Sequence, residues 1–257
     1  MSSFRLIARL DVKGTNVVKG VQLEGLRKLG EPNLFAKRYY ANGIDEILYM
    51  DVVASLYERS NLLSIVKEAT KDVFIPITAG GGIRSVDDAA AILRAGADKV
   101  AVNTAALKRP EILSEISNAF GSQCVVLSVE AKRNPNGGWT AYYDNGREKS
   151  GEDVLDWIQQ SGTLGIGEIL LTSVDQEGTA QGFDMELIQA VTAAASVPVI
   201  ASGGMGNMAH LVDLVGKCRP NAVAMAHVLH YDKLTIPDIR ERLINKHIPV
   251  RSVPSCR

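Results

Sequence analysis

GIDEILYMDV at residues 43–52 returns as GIGEILLTSV at 165–174. The same displacement of 122 positions, 43 to 165, brings Gly81 and Gly82 of AGGGI (79–83) onto Gly203 and Gly204 of SGGMG (202–206). Near the start of each copy LDVKG (10–14) faces VEAKR (129–133), so each half opens with a strand that ends in an acid, Asp11 or Glu130. A repeat of this length is a supersecondary unit used twice. Each copy supplies an acid at a strand end and a glycine-rich turn downstream.

Working outward, short apolar runs fall at 6–11, 46–51, 75–79, 99–103, 124–130, 168–173, 197–202 and 222–226. Amphipathic helical patterns lie near 32–42, 60–71, 85–95, 109–119, 151–162, 184–195, 206–217 and 235–246. Strands that alternate with helices pair in parallel, because each helix provides the crossover. An open doubly wound sheet and a closed barrel both satisfy that alternation. Eight units, a twofold repeat and 257 residues favour a single α/β (β/α)8 TIM barrel of two duplicated (β/α)4 half-barrels, about 1–121 and 122–257. No Pro/Gly/Ser-rich linker separates the halves. NPNGGWTAYYDNGR (134–147) breaks the rhythm and reads as a hairpin inserted after the fifth strand.

At 46% hydrophobic and 22% charged, with a net charge of −1, the composition is that of an ordinary globular domain without the basic surface that nucleic acid requires. Three cysteines (Cys124, Cys218, Cys256) without CxxC spacing argue against disulfides and zinc. No membrane-length apolar run and no signal-peptide core occur, so a cytoplasmic protein without cofactor or metal is expected.

In a barrel, chemistry belongs at the carboxyl ends of the strands, where Asp11, Asp51, Asn103, Glu130 and Asp175 fall. A lone acid there also serves as a helix cap or loop ion pair; equivalent acids in two halves argue for paired acid–base groups. Glycine turns before helices at 81–82 and 203–204 let backbone N–H groups approach an anion at a helix N-terminus. Two such turns point to a ligand with two phosphates. Asn103 and Thr104 complete the first cup; Ala226 and His227 hold the corresponding positions in the second. His227 is there either a phosphate donor or a half-buried loop histidine. GxSxG, HExxH and Walker motifs are absent, so hydrolase and zinc chemistry have no support.

The blocks IARLDVKG, VVKGVQ, DEILYMDVVAS, GGGIRS, GADKVAVNTAA, FGSQCVV, GEILLTSVDQEGT and PVIASGGMG, in this order over nearly the whole chain, resemble the cyclase (HisF) subunit family of imidazole glycerol phosphate synthase. The resemblance implies a barrel that receives ammonia from a HisH-type glutaminase in a heterodimer. With that ammonia the family closes an imidazole ring on a phosphoribulosyl imidazolecarboxamide bisphosphate and releases an aminoimidazole ribotide. By position, Asp11 and Glu130 are the catalytic acids and Lys19 is a mobile-loop contact to substrate. Asp51, Thr172 and Asp175 line the mouth. Gly81, Gly82, Asn103 and Thr104 form one phosphate site, and Gly203, Gly204, Ala226 and His227 the other. Arg5, Glu46, Lys99 and Glu168 occupy the family's ring of ammonia-gate charges, and Asp98 faces the glutaminase.

Three positions depart from the family pattern: Glu130 and Glu177 stand where aspartate is typical, and Arg9 where a small residue is. Strand alternation points Arg5, Ile7, Arg9 and Asp11 inward together. A buried Arg9 needs a carboxylate, and Glu130 or Asp51 is the expected partner. With QLEGLRKLGEP and DVVASLYERSNL, these departures look most like the glycosyl amidation-associated (WbuZ-type) branch. That branch is thought to supply ammonia to a sugar amidotransferase in surface-polysaccharide (O-antigen, lipopolysaccharide) synthesis. The alternatives are the authentic histidine-pathway cyclase and a non-catalytic activator of the glutaminase. The isomerase of the same pathway shares acids and cups but has no use for the charge ring.

Overall fold

A computed structural model describes residues 3–54 and 61–252; Cys256 and part of the DVVASLYERSNL run lie outside the described residues. Eight parallel strands form a closed barrel: β1 (Arg5–Lys13), β4 (Glu46–Asp51), β5 (Ile77–Gly80), β6 (Lys99–Val102), β7 (Val125–Arg133), β10 (Glu168–Ser173), β11 (Val199–Ser202) and β12 (Ala222–Met225). β12 pairs with β1, β1 with β4, and β10 closes the circle against β7.

Each barrel strand is buried on both faces, as a parallel strand covered by helices must be. Along β1, Leu6, Ala8, Leu10 and Val12 point outward into a layer shared with the helices, at 1% exposure or less. The other face turns into the barrel. There Ile7, Leu48, Ala101, Val126, Leu170 and Ile200 belong to a separate apolar cluster that fills the interior. The barrel is therefore a packed column, with charge confined to its two ends.

The repeat extends to contacts. Ser85 caps the helix Val86–Arg94 by accepting the Asp88 N–H at 3.1 Å, and Asn207 caps Met208–Lys217 by accepting the His210 N–H at the same distance. Gly81 and Gly203 both take left-handed backbone, with φ of 104° and 99°. A Cβ on Gly81 would lie 2.3 Å from the Asp51 carbonyl oxygen, and on Gly203 2.8 Å from that of Ser173. Asp51 and Ser173 are themselves repeat-equivalent positions. Each turn is glycine because its strand-end neighbour leaves no room for a side chain.

The first strand of each half overshoots the barrel and folds back as an antiparallel hairpin. β1 continues into β2 (Asn16–Val21) and β3 (Glu24–Gly30); β7 continues into β8 (Trp139–Tyr143) and β9 (Glu148–Asp153). The sequence places the second hairpin at 134–147, whereas its return strand runs on to Asp153, whose side chain then caps the next helix. The first hairpin goes unread as structure. Its exposed return strand, EGLRKLG, lacks the alternation that marks a core strand. The two tips meet where Asn145 Nδ2 donates to the Leu23 carbonyl at 3.2 Å.

Candidate functional site

At the amino end of the barrel, four inward charges form a closed alternating ring. Arg5 Nη1 donates to Glu46 Oε1 at 2.6 Å and its Nη2 to Glu168 Oε1. Lys99 Nζ reaches Glu168 Oε2 at 2.8 Å and Glu46 Oε2 at 3.3 Å. Each acid thus serves both cations, as burial demands of charges taken out of water. Burial works against the Arg5 charge, but hydrogen bonds and attraction from Glu168 and Glu46 hold its pKa above the ordinary value. Beneath the ring is an open depression of about 280 Å³ lined in part by Ser3, Gln123 and Asn221. Asp98 is exposed at this same end, with its Oδ2 accepting the Ile77 N–H at 2.8 Å.

Above the apolar column, Arg9 is 2% exposed and spans several strands. Its Nε donates to Asp11 Oδ1 at 2.8 Å, and its Nη1 to Thr172 Oγ1 at 2.9 Å and Ser202 Oγ at 3.1 Å. This corrects the expected partner: Arg9 pairs with Asp11, and not with Glu130 or Asp51. Asp11 lies two residues further along the same inward face, within reach of Nε without crossing the barrel. Glu130 is four strands away around the wall and takes a different donor, the Gly146 N–H of the second hairpin, at 2.8 Å. Burial opposes the Arg9 charge, yet Asp11, Glu177 and Glu130 together raise its pKa.

Burial pushes Glu130 up from 4.5 to about 7; the Gly146 N–H and Arg9 oppose that shift, and Asp11 and Asp144 add to it. Folding therefore favours its protonated form. Its contribution is undiminished below pH 4.5 and is lost as pH rises through about 7. Against a Glu130→Gln variant, the wild type should lose relative stability across that window and stay level above it. Urea midpoints measured at several pH values check this; a pH-independent difference would place Glu130 in water.

An opening of about 350 Å³ at the mouth lies over the first half. Asp51, Gly81, Gly82, Asn103, Thr104 and Glu130 all line it. Asn103 Nδ2 donates to the Tyr142 carbonyl at 3.1 Å, leaving its Oδ1 buried without a partner. Asp51 Oδ1 accepts the Val53 N–H at 3.1 Å. Gly203, Gly204, Ala226 and His227 come together over the second half, around a space of only about 10 Å³. His227 is half-buried, rests against the Tyr231 ring at 4.9 Å, and has its pKa lowered by burial and then by Lys19 and Lys233. Lys19, from β2, is buried between Glu177, with which it pairs directly, and Asp11, at 3.8 Å.

Asp175 is not brought to the main cavity. Its Oδ2 accepts the Arg133 N–H at 2.8 Å, and the residue lines an outer depression with Gln176 and Phe183. Sequence reasoning missed several contributors. Arg84, Lys108 and Arg109 add positive charge to the first cavity's lining, and the tip residues Asn145 and Gly146 cover it or hold Glu130. The basic residues stand beside the recognised GGGI and NTAA blocks and are findable from that adjacency. Gly146 carries no such signal, since it acts through its backbone N–H. Among the described residues no group of histidines, cysteines and acids forms a metal site, and no helix is long and apolar enough to cross a membrane.

Comparison with known proteins agrees with this architecture. The family model described as "Histidine biosynthesis protein" matches residues 5–235. A Legionella pneumophila protein named imidazole glycerol phosphate synthase subunit HisF is 63% identical over 208 residues, which is 81% of this chain and 98% of that protein. Proteins of the same name from Streptococcus sanguinis and Mycobacteroides abscessus are 44% and 47% identical, each covering 96% of this chain and 98% of the relative. These names belong to the histidine pathway, the alternative in the sequence analysis, and not to the polysaccharide branch favoured there. From the family match and full-length relatives together, the chain belongs to the HisF family of imidazole glycerol phosphate synthase subunits.

Proposed function

We propose that this chain is the ammonia-accepting cyclase subunit of an imidazole glycerol phosphate synthase, working with a HisH-type glutaminase docked at the base of the barrel. The observation that carries this reading is the vertical order of the interior: a closed charge ring, an apolar column, then two acids beside two glycine cups. Neutral ammonia can cross an apolar column that ammonium cannot, because a bare ion pays heavily for desolvation. At the mouth the cups hold the two phosphates of the imidazolecarboxamide substrate. Glu130, near neutrality in pKa, exchanges a proton within the working pH range, as a general acid–base group needs to. Asp11, fixed by Arg9 and Lys19, supplies the second carboxylate.

A second reading is favoured by one observation, the Arg9–Asp11 pair, which commits a catalytic carboxylate to a protein cation. On that reading the barrel passes ammonia to a separate sugar amidotransferase and closes no ring. The test is purified chain with the bisphosphate substrate and either ammonium salt or glutamine plus the glutaminase. Aminoimidazole ribotide released with both nitrogen sources is the expected result. Release with neither overturns the cyclase reading. In that event Arg9→Cys with Glu130→Asp should restore turnover if those two positions are responsible.

A further inference from the structure

The two cups have the same backbone and different contents. Their glycines share left-handed φ values, their following helices share side-chain caps, and Asn103 and Ala226 share φ near −125°. Yet about 350 Å³ is open over the first and about 10 Å³ over the second. The second is filled by the protein's own charges. Glu177 is 4% exposed, and its Oε2 lies 3.4 Å from where a Gly203 Cβ would stand, which puts a carboxylate in the mouth of the glycine turn.

That carboxylate is held from above. Lys19, also 4% exposed, comes down from the first hairpin to pair with it, while the Gln22 N–H donates to the Glu177 carbonyl at 2.7 Å. Gly178 packs so closely on Gly20 that a Cβ there would lie 2.2 Å from the Gly20 carbonyl oxygen. On the inner side Arg9 lines the same space. Two cations, Arg9 and Lys19, thus face two acids, Asp11 and Glu177, and the cluster is balanced without any ligand. At the first cup, Asp144 Oδ1 reaches the Thr104 hydroxyl at 3.3 Å, but it does not close the cavity.

We propose that Glu177 is a resident anion of the second cup, and that the Lys19–Glu177 pair is a latch which a ligand's second phosphate must displace. Lys19 exchanges the carboxylate for the phosphate, Glu177 swings out by side-chain rotation, and a bisphosphate is engaged in order, first half first. Backbone movement is not needed, because the Glu177 N–H stays bonded to the Ser173 carbonyl at 3.0 Å. The proposal rests on both glycine turns being phosphate cups.

Inorganic phosphate soaked at rising concentrations into crystals of the full chain tests it. A cup that opens one time in ten binds about tenfold more weakly than its open twin, so the second should fill at roughly tenfold higher phosphate than the first. Whenever it fills, Glu177 should be rotated away from Gly203. In a Glu177→Gln variant both cups should fill together. Phosphate in the second cup of the wild type with Glu177 unmoved overturns the latch and leaves the cups standing. Failure of the variant's second cup to fill also overturns the latch. Phosphate absent from the first cup overturns the assignment of the cups and the latch with it.

Discussion

Replacing Arg9 with methionine should lower the free energy of unfolding by about 3–5 kcal/mol, the range found when one partner of a buried ion pair is removed. Methionine matches the stem of the side chain, so little packing is lost. What is lost is the cation. Asp11, 3% exposed, would keep only Lys19, at 3.8 Å, in place of a direct 2.8 Å hydrogen bond. Thr172 and Ser202 each lose one bond accepted by a neutral hydroxyl, a smaller cost than that of a carboxylate that cannot be rehydrated beneath two hairpins. Combining Arg9→Met with Asp11→Asn removes both charges and should return most of the loss, because replacing a whole buried pair is close to neutral. Urea midpoints of the wild type, the single and the double variants at pH 7 decide it. Equal losses in the single and double variants would show that Arg9 acts through packing alone.

The fate of Arg9 also marks where the sequence stops being informative. Period-two alternation shows that Arg5, Ile7, Arg9 and Asp11 share the inward face, and that much is fixed by backbone geometry. It does not show how far around the barrel wall a guanidinium will reach. The nearest acid, two residues along the same strand, prevailed over a more distant one across the mouth. The barrel itself was legible because its strands repeat an apolar pattern whose halves match even in caps and glycine contacts. The charge ring was legible through the family resemblance, with which the repeat-equivalence of Glu46 and Glu168 agrees. The second hairpin was announced by its turn residues, whereas the first was hard to read because it packs over the mouth and not in the core. Their contributions, Gly146 to Glu130 and Gln22 to the Glu177 carbonyl, are backbone donations that any residue but proline can make.

Asp11→Asn should reduce kcat for ring closure by about 10²–10⁴-fold, the usual contribution of a positioned proton-transfer group. The loss should be the same with glutamine and with ammonium salt as the nitrogen source. Asp11 sits above the apolar column at the mouth, where on the proposed cyclase reading ammonia from either source would react. A change there cannot distinguish their origins. Asparagine preserves size and one acceptor oxygen, so the Arg9 Nε bond can persist while the charge that balances Arg9 and Lys19 is gone. Two buried cations then face Glu177, with Glu130 as the other acid acting on Arg9, and Lys19 should hold the Glu177 carboxylate more tightly. The bisphosphate KM should therefore rise along with the fall in kcat. A glutamine-dependent rate that falls while the ammonium-dependent rate holds would move Asp11 from the chemistry to the passage of ammonia.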